Sequence, residues 1–399
     1  MKRFALLLVC LLLLLVGCGK SQDVILDENF VILCTEESGL VREAALSLQV
    51  ALMQKCNLEL EVVTEAPAEA KTITVAVEDS LEDGSYRTRI ADGSIFIEAG
   101  SSDGMLFAMR EIRREWLGES EEPKLKAETL EALCGKIDLA NAPFLALTQN
   151  IRYLDDEGGN MVAQRAPRFN LLVTEYQPDL ILIQEDNKHW CPILEKLFED
   201  MYGVVGTYSD GPEGTRGNRQ SIFFRKDRYE LVDQGALWLS DTPSEPYTKF
   251  EDSKSCRHCT WAILKDTFTG RELFVCNTHL DTTSEEVRLK QLAVLQEHMG
   301  GYMEQYPTLL VGDFNSRPDG QVYATVTQTL SDPHVTAAVK LNNAEFTYDK
   351  YGTEDDPRRL DYLFYNEGLV AETYRVMIDL YNGYISDHYG VTTQYSFAK

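Results

Sequence analysis

The sequence predicts an α/β protein of two domains. Short apolar runs typical of buried strands alternate with helix-like segments along most of the chain. At 399 residues, the chain exceeds the usual single-domain length of about 100 to 200 residues. A charged stretch at residues 119–133 separates two such regions. We therefore expect a small α/β domain at 24–118, a linker at 119–139 and a larger domain at 140–399.

The first residues, MKRFALLLVCLLLLLVGCGKS, have the pattern of an export signal. A basic start precedes an apolar stretch from Phe4 to Val16, which is short for a membrane span. The ending LVGC at residues 15–18 resembles a bacterial lipobox, in which Cys18 becomes the lipid-modified N-terminus. Residues 1–18 are therefore expected to be a lipoprotein signal peptide, with the rest tethered outside the cytoplasm. The alternative is an ordinary signal peptide.

Composition narrows the class of protein. Hydrophobic residues make up 44% of the chain, which predicts a folded protein. The net charge of -26 argues weakly against a dedicated nucleic-acid binder, because phosphate contacts need lysine and arginine. Seven cysteines follow Cys18, and this odd number excludes a complete disulfide framework. Cys256 and Cys259 form a CxxC pair, for which a redox or metal site is an alternative to packing.

Residues 24–118 carry the pattern of a compact α/β unit. FVILC predicts a strand, and apolar residues recur at helical spacing in the segment that follows. SYRTRIADGSIFIEA predicts a hairpin that turns on Asp92 and Gly93, and a helix is predicted from Ser102 to Leu117. This order resembles the noncatalytic N-terminal domain that precedes several glycoside hydrolase barrels. The resemblance implies a spacer or packing role, with ligand binding as the alternative.

Four apolar runs of the larger domain end on residues that can bind a metal or move a proton. FLALTQN ends on Asn150, DLILIQE on Glu185, LFVCNTH on His279, and TLLVGDFN on Asp313 and Asn315. Ordinary turn chemistry favours Asn, Asp, Gly and Ser, so it does not explain the histidine and the glutamate. Asp313 and Asn315 are two apart in a predicted strand, and we expect their side chains to share a face.

Two segments nearer the C-terminus add acid-base residues. RRLDYLF places Asp361 in an otherwise apolar run, where an isolated charge is costly without a partner. YISDHYG supplies Asp387 and His388, and a buried aspartate commonly orients a histidine. We therefore expect Asp361 to hold His388. An ion pair of Asp361 with Arg358 or Arg359 is the alternative.

Together these segments resemble the endonuclease/exonuclease/phosphatase superfamily, which includes DNase I-like nucleases, sphingomyelinases and inositol polyphosphate 5-phosphatases. The matching segments occur, between residues 145 and 394, in the order TQNIR, LIQED, SIFFRKDRYEL, CNTHLD, VGDFNSRP, RRLDYLF and SDHYG. The resemblance implies a DNase I-like fold of two packed β-sheets flanked by helices. It also implies hydrolysis of a phosphate ester with Mg²⁺, with Mn²⁺ or Ca²⁺ as alternatives.

The resemblance and the side-chain chemistry assign roles to the strand-end residues. Asn150 and Glu185 are expected to bind the metal, because Mg²⁺ prefers oxygen ligands. Asp313 is expected to align or deprotonate the attacking water, and Asn315 to donate to a phosphoryl oxygen.

The histidines complete the predicted site. His279 and His388 are expected to flank the phosphate and to share the donor and general-base roles, which the sequence does not divide between them. Asp387 is expected to support Asp313 or a second metal. Arg257 is predicted to contact the phosphate.

One position departs from the superfamily pattern. In many relatives a glutamate seven residues before the arginine of the IFFR-like strand pairs with the histidine equivalent to His279, whereas here Asn218 stands seven residues before Arg225. An amide can hydrogen-bond that histidine and contribute to substrate binding, but it cannot stabilise the cation as a carboxylate does.

The sequence thus predicts a membrane-tethered, extracytoplasmic, Mg²⁺-dependent phosphoesterase that is a monomer. A small-molecule or lipid-headgroup phosphate ester is favoured over nucleic acid, because the chain is acidic and carries a predicted lipid anchor. A DNase-like nuclease is one alternative, and a non-catalytic surface lipoprotein on the same fold is an alternative of another class. Tyr348, Tyr351 and Trp261 are expected to be packing residues.

Overall fold

The computed structural model describes residues 24–117, 124–125, 133–211, 217–342 and 344–399. The chain divides into two compact units, and the boundary lies between Ile137 and Asp138. The predicted signal peptide, with Cys18, lies outside the described residues. Within the described ranges, none of the helices combines the length and the apolar character needed to cross a membrane.

The first unit is built on a six-stranded sheet. Its elements are β1 (Val24–Ile25), β2 (Phe30–Leu33), α1 (Leu40–Cys56), β3 (Val62–Val63), β4 (Lys71–Val77), β5 (Ser85–Ala91), β6 (Ser94–Ala99), α2 (Ser102–Ile112), β7 (Lys124–Leu125) and β8 (Cys134–Lys136). The sheet order is β3-β2-β4-β6-β5-β8, while β1 and β7 form a separate antiparallel pair. A π-helical turn, Arg113–Leu117, follows α2 directly.

Branched apolar residues place the core of this unit between the sheet and its helices. Ile32, Ile73 and Ile95 are in register on β2, β4 and β6, and all three are buried in one cluster with residues of α1 and α2. The predicted hairpin is present between β5 and β6. Asp92 and Gly93 have φ angles of 51° and 76°, as a two-residue hairpin turn requires.

Two short strands lie within residues 119–139, the stretch predicted as a linker. β7 pairs with β1, and β8 adds to β5 at the edge of the six-stranded sheet. Both pairings belong to the first unit. The described part of the predicted linker is therefore integrated into that unit, because its backbone forms strands that pair with β1 and β5.

The second unit contains twelve strands among its described residues. They are β9 (Phe144–Asn150), β10 (Leu180–Asp186), β11 (Tyr202–Val205), β12 (Arg219–Arg225), β13 (Tyr229–Trp238), β14 (His258–Asp266), β15 (Glu272–His279), β16 (Thr308–Asp313), β17 (Val339–Lys340), β18 (Asp361–Tyr365), β19 (Leu369–Val376) and β20 (Val391–Phe397). The helices are α3 (Val162–Tyr176), α4 (Cys191–Phe198), α5 (Glu285–Gln305), α6 (Gln321–Val326) and α7 (Pro333–Thr336), after a 3₁₀ turn at Leu139–Asn141.

These strands form two sheets packed face to face. One has the order β11-β12-β10-β9-β20-β19-β17, and the other has the order β13-β14-β15-β16-β18. Leu182 and Ile222 of the first sheet share a buried cluster with Val275 and Val311 of the second. Strand residues buried on this inner face alternate with residues that face the helices.

Helices cover the outer faces of the sandwich. Leu295 of α5 packs with Phe274 of β15 in a second apolar cluster. On the other side, the rings of Phe169 in α3 and Phe223 in β12 both contact Phe198 of α4. The predicted two-sheet sandwich flanked by helices is confirmed.

The topology brings the polar strand ends together. β9 and β10 are parallel, with Asn150 opposite Gln184, and β15 and β16 are parallel, with His279 opposite Asp313. β18 runs antiparallel to β16, so its first residue, Asp361, also lies opposite Asp313. Because the carboxyl ends of parallel strands share one edge, the site lies at one end of the sandwich.

Candidate active site

Asp313 lies at the centre of the polar cluster and is 2% exposed. Its Oδ2 accepts a hydrogen bond from Asn150 Nδ2 at 3.0 Å. The same oxygen lies 3.5 Å from His279 Nε2 and 3.9 Å from His388 Nε2. Oδ1 accepts a hydrogen bond from the backbone amide of Asn315 at 2.8 Å. Four of the predicted site residues therefore meet at one carboxylate.

The surroundings of Asp313 make it a stronger base than an ordinary aspartate. Burial raises the pKa of its carboxyl to about 7, and the negative charge of Asp361 acts in the same direction. The charge of His388 and the hydrogen bonds from Asn315 and Asn150 oppose this rise. A carboxyl with a pKa near neutrality has the property that a general base requires.

His388 and Asp361 form a buried pair. His388 Nδ1 lies 2.8 Å from Asp361 Oδ2, which also accepts a hydrogen bond from Thr347 Oγ1 at 2.5 Å. Burial lowers the pKa of His388, but the charges of Asp361 and Asp313 outweigh it and raise the pKa to about 10. His388 is therefore a cation at neutral pH, and its Nε2 is directed toward Asp313.

The arginines that precede Asp361 in the chain pair with other carboxylates. Arg359 Nη1 lies 2.7 Å from Asp332 Oδ2, and Arg358 Nη2 lies 3.4 Å from Glu354 Oε2. The alternative ion pair for Asp361 is therefore not formed, and its contact is with His388.

His279, at the end of β15, has the opposite electrostatic environment. Burial, followed by the nearby charges of Arg257 and His388, holds its pKa well below the usual value, so the ring is neutral at neutral pH. Its Nδ1 is buried without a hydrogen-bond partner among the described residues. The backbone of Asn218 instead pairs with Ser209. The expected contact between Asn218 and His279 is therefore absent from the described part of the chain.

Asn150 lies between the carboxylates of Asp313 and Glu185. Glu185 has a left-handed φ of 65° at the end of β10. Its Oε1 accepts a hydrogen bond from Asn150 Nδ2 at 3.3 Å, and its Oε2 accepts one from the amide of Tyr153 at 2.9 Å. Asn150 Oδ1 accepts from the amide of Arg152 at 3.0 Å. Carboxylate and amide oxygens of this kind fit a hard cation such as Mg²⁺.

A second group of potential ligands shares Asp313. Ligand atoms of Asp313, Asp361 and His388 lie within 4.8 Å of one another. However, His388 Nδ1 is engaged with Asp361 Oδ2, and a histidine nitrogen is not a ligand that Mg²⁺ prefers. The oxygen pair of Asn150 and Glu185 therefore fits a metal better than this histidine-containing group.

Asn315 does not lie on the strand. β16 ends at Asp313, and Asn315 has a left-handed φ of 47°. Its Nδ2 donates to the carbonyl of Leu280 at 3.0 Å. The expectation that Asp313 and Asn315 share a strand face is therefore wrong. A turn closed on Asp313 Oδ1 holds Asn315 beside the site instead.

The cluster lines a pocket of about 610 Å³. The predicted residues on its wall are Glu185, Arg257, His279, Asp313, Asn315, Asp387 and His388. Arg257 is nearly buried, with a side chain that is 10% exposed, and its Nε has no hydrogen-bond partner among the described residues. The Asp281 carboxylate is 4.0 Å from this atom. A buried cation with so little compensation suits an anionic ligand.

Asp387 faces an arginine that sequence reasoning missed. Asp387 Oδ2 lies 3.7 Å from Arg152 Nε, which is also 3.0 Å from Asp156 Oδ2. Asp387 therefore supports Arg152, in place of the expected contact with Asp313. The position of Arg152 two residues after Asn150, within TQNIR, was the available signal.

The remaining candidates divide between packing and the pocket wall. Trp261 packs against the rings of Phe274 and Tyr302, as expected. Tyr348 instead lines the pocket, and its ring centroid lies 4.9 Å from that of His388.

The CxxC pair has the environment of packing residues. Cys259 is buried, and Cys256 Sγ donates to the carbonyl of Tyr247 at 3.3 Å. Neither cysteine belongs to a ligand cluster among the described residues. His258, between them, stacks on Trp238 with ring centroids 5.6 Å apart.

The fold and the site define an enzyme that hydrolyses phosphate esters. Residues 147–388, more than half of the chain, match the Endonuclease/Exonuclease/phosphatase family. The protein belongs to this family, whose members are hydrolases of phosphate esters and typically depend on a divalent metal.

Three relatives illustrate the range of similarity. Protein angel of Drosophila melanogaster is 26% identical over 155 residues, which span 38% of this chain and 43% of that protein. An endonuclease/exonuclease/phosphatase structure from Bacteroides vulgatus has 24% identity and a TM-score of 0.61, covering 64% of this chain and 100% of that one. A mannosyl-6-phosphatase from Bacteroides thetaiotaomicron has 25% identity and a TM-score of 0.58, with the same coverage of 64% and 100%. The match with angel therefore spans less than half of that relative.

Proposed function

We propose that the protein is a Mg²⁺-dependent phosphoesterase, anchored outside the cytoplasm through Cys18, that hydrolyses a small or lipid-linked phosphate ester. The observation that carries this proposal is the position of Asp313. Its buried carboxylate, with a pKa of about 7, lies between Asn150 and two histidines in a pocket that also contains the weakly paired Arg257.

Asp313 is the proton acceptor in the proposed reaction. Its pKa lies close to neutral pH, so a large fraction is ionised and able to take a proton from the attacking water. The hydrogen bonds from Asn150 and from the amide of Asn315 fix both carboxylate oxygens. A fixed base reduces the entropy lost in reaching the transition state.

The cationic groups bind the phosphoryl oxygens. Arg257 contributes a guanidinium from the pocket wall, and His388 contributes an imidazolium that Asp361 keeps charged and oriented. Their attraction strengthens as negative charge accumulates in the transition state. His279, which is neutral, donates a hydrogen bond from Nε2 either to Asp313 or to the phosphate. Asn150 and Glu185 would hold the Mg²⁺ ion, which would supply further positive charge at the phosphate and its leaving oxygen.

Two observations favour a small or lipid-linked ester over nucleic acid. The chain has a net charge of -26, which opposes the approach of a long polyanion. The pocket of about 610 Å³ has the size of a small-molecule site. The similarity to a mannosyl-6-phosphatase, at 25% identity, supports the same preference.

A hydrolysis screen tests the proposal. The full-length protein, purified in detergent, is incubated with p-nitrophenyl phosphate, bis-p-nitrophenyl phosphate, inositol phosphates, sphingomyelin and plasmid DNA. We expect turnover of a small or lipid-linked ester that EDTA abolishes and Mg²⁺ restores. Turnover of plasmid alone would assign a nuclease, and no turnover with any substrate would assign a non-catalytic lipoprotein.

Membrane attachment is tested separately. We expect Cys18→Ala to move the protein from the membrane fraction to the soluble fraction, or to leave the leader uncleaved, because the acyl chains are lost. Cys10→Ala, within the same leader, is the matched control and is expected to fractionate normally. Unchanged fractionation and mass of the Cys18 variant would contradict the proposed anchor.

A further inference from the structure

A second pocket, of about 590 Å³, adjoins the active site. It shares Arg152, Tyr348 and Asp387 with the pocket that contains Asp313. We propose that this adjoining pocket binds the leaving group of the substrate, and that this group is an uncharged hexose. The inference rests on the proposed function and identifies its substrate as a hexose phosphate.

The three shared residues connect the two pockets beside the phosphate-binding groups. Tyr348 contacts the ring of His388, and Asp387 precedes His388 in the chain. Arg152 lies between the carboxylates of Asp387 and Asp156, at 3.7 and 3.0 Å. A group esterified to a phosphate beside His388 therefore enters the adjoining pocket past Tyr348 and Arg152.

The charges of the adjoining pocket are balanced. Its lysine, arginine and acidic residues are Arg152, Arg168, Lys350, Asp156, Glu157 and Asp387, three of each sign. The Arg168 guanidinium is engaged with the backbone, since its Nη1 donates to the carbonyls of Gly159 at 3.0 Å and Tyr384 at 2.8 Å. The pocket therefore lacks the excess of cations that a second phosphate or a nucleic-acid backbone requires.

Its other groups match the surface of a sugar. Tyr348, Tyr351 and Tyr384 line the pocket. The hydroxyl of Tyr351 donates to Asp156 Oδ2 at 2.9 Å, and its ring meets that of Tyr384 with centroids 5.8 Å apart. A hexose has C–H faces that pack on aromatic rings and hydroxyls that exchange hydrogen bonds with carboxylates, amides and phenols.

The wall of the pocket has an unusual backbone. Arg152, Lys350, Tyr351 and Asn382 all line it with left-handed φ angles, of 57°, 52°, 60° and 61°. Such angles are uncommon for residues other than glycine, and they persist where the surrounding structure imposes them. Strain of this kind is concentrated at ligand sites, so its presence here favours a binding role over a chance surface depression.

A buried arginine fixes one side of this wall. Arg165, in α3, donates to the carbonyls of Ile151, Arg152, Leu154 and Asn160 at 2.5, 2.9, 2.5 and 2.8 Å. One side chain therefore holds both ends of the loop that carries Arg152. A wall fixed before the ligand arrives loses little entropy on binding.

Substrate selectivity tests the inference. The full-length protein in detergent is assayed with mannose 6-phosphate, glucose 6-phosphate and glycerol 3-phosphate, which share a phosphate monoester and differ in the leaving group. We expect kcat/KM for at least one hexose phosphate to exceed that for glycerol 3-phosphate by tenfold or more. We expect Tyr351→Ala to lower this ratio at least fivefold, chiefly by raising KM for the hexose phosphate.

Tyr247→Ala is the matched control. Tyr247 is an exposed tyrosine with a φ of 67°, close to the 60° of Tyr351, and it lies outside both pockets. The strain of placing alanine at a left-handed position is therefore the same in both variants. The control is expected to keep the wild-type ratio. An equal loss in both variants would assign the effect of Tyr351→Ala to folding and would overturn its role in binding.

Failure of this inference can be distinguished from failure of the proposed function. Hydrolysis of all three esters without preference for a hexose would overturn the hexose pocket and leave the phosphoesterase intact. Absence of hydrolysis both of these esters and of every substrate in the earlier screen would overturn the proposed function. Calorimetry on the Asp313→Asn variant then decides the inference without turnover, because at least one of the two hexose phosphates must bind more tightly than inorganic phosphate. Affinities for both hexose phosphates equal to that for inorganic phosphate would overturn it.

Discussion

The two units of the chain bury charge in different ways. In the first unit, the one buried carboxylate among the described residues is Glu98, which lies 2.7 Å from Arg87 Nε and 2.8 Å from Arg89 Nη2. In the second unit, the site buries Asp313 opposite Asp361, whose charge opposes the ionisation of Asp313. A buried carboxylate with a structural role has an arginine partner here, whereas the carboxylate of this site remains available to a ligand.

The contrast belongs to the site and not to the second unit as a whole. Elsewhere in that unit, Asp266 lies 2.9 Å from Arg228, and Asp186 lies 2.8 Å from Arg219. These carboxylates are as deeply buried as Asp313, and each has an arginine partner. Asp313 differs from them, because its nearest basic neighbours are the two histidines, at 3.5 and 3.9 Å.

The largest expected effect is that of Asp313→Asn. We expect kcat to fall by about 10³-fold, because the variant removes the proton acceptor, with a smaller change in KM. The melting temperature should stay the same or rise, because the variant removes an ionised group that the fold disfavours. Kinetics and thermal melting on one preparation measure both. Asp266→Asn, the paired control, should lower the melting temperature and retain kcat.

Asp361→Asn should reduce kcat/KM by about 10²-fold and move both limbs of the pH profile. In the unmodified enzyme, activity should rise as Asp313 ionises near pH 7 and fall as His388 loses its proton near pH 10. The carboxylate of Asp361 raises both pKa values, so its removal should shift both limbs to lower pH. Unmoved limbs would contradict the coupling of Asp361 to these groups.

Glu185→Gln should raise the Mg²⁺ concentration for half-maximal activity by about tenfold, because it removes the charged metal ligand. The fold should be unaffected, and saturating Mg²⁺ should restore much of the activity. Metal titration of the initial rate measures the change. Glu195→Gln is the control, since Glu195 pairs with Arg219 and lies outside the pocket. Activity of the unmodified protein that survives EDTA would rule out the metal role.

The smallest expected effect on activity is that of Glu98→Gln, which tests the buried ion pairs of the first unit. We expect a loss of about 1 to 2 kcal/mol in unfolding free energy with unchanged kcat, because each arginine partner is partly exposed and screened by solvent. Burial raises the pKa of Glu98, but hydrogen bonds from Arg89 and Arg87 outweigh this effect and lower the pKa. This stabilisation should therefore be complete above about pH 4.3, the pKa of a glutamate in the unfolded chain. It should be lost as the pH falls through the lower pKa that Glu98 has in the folded state. Glu59→Gln, at an exposed position, should change neither quantity.

The sequence predicted the centre of the site because strand periodicity and strand ends are local features. Asn150, Glu185, His279 and Asp313 each follow an apolar run, and parallel pairing then brings such ends to one edge. The two-sheet sandwich was predicted from the family resemblance, which rests on segments that include these strand ends. The export signal, the lipid anchor and the role of the first unit stay predictions.

Contacts between distant turns were beyond sequence reasoning. Asn315 forms a turn in which its φ angle is left-handed. An Asn-Ser pair allows such an angle but does not require it. Thr347 reaches Asp361 from a separate loop, and Tyr351 reaches Asp156 across 195 residues of chain. Nothing in the local pattern of either segment specifies such a partner.

Arg165 also has a consequence for the order in which the molecule folds. Besides the nearby loop, its Nη1 contacts the carbonyl of Ile385 at 3.4 Å, 220 residues further along the chain. Local contacts form early, whereas contacts of long sequence separation must first close a large loop. We therefore expect the loop at 151–160 to order on α3 before the contact of Arg165 with Ile385 forms. On this order, the wall of the adjoining pocket gains its contact with the C-terminal segment late, after its local hydrogen bonds have formed.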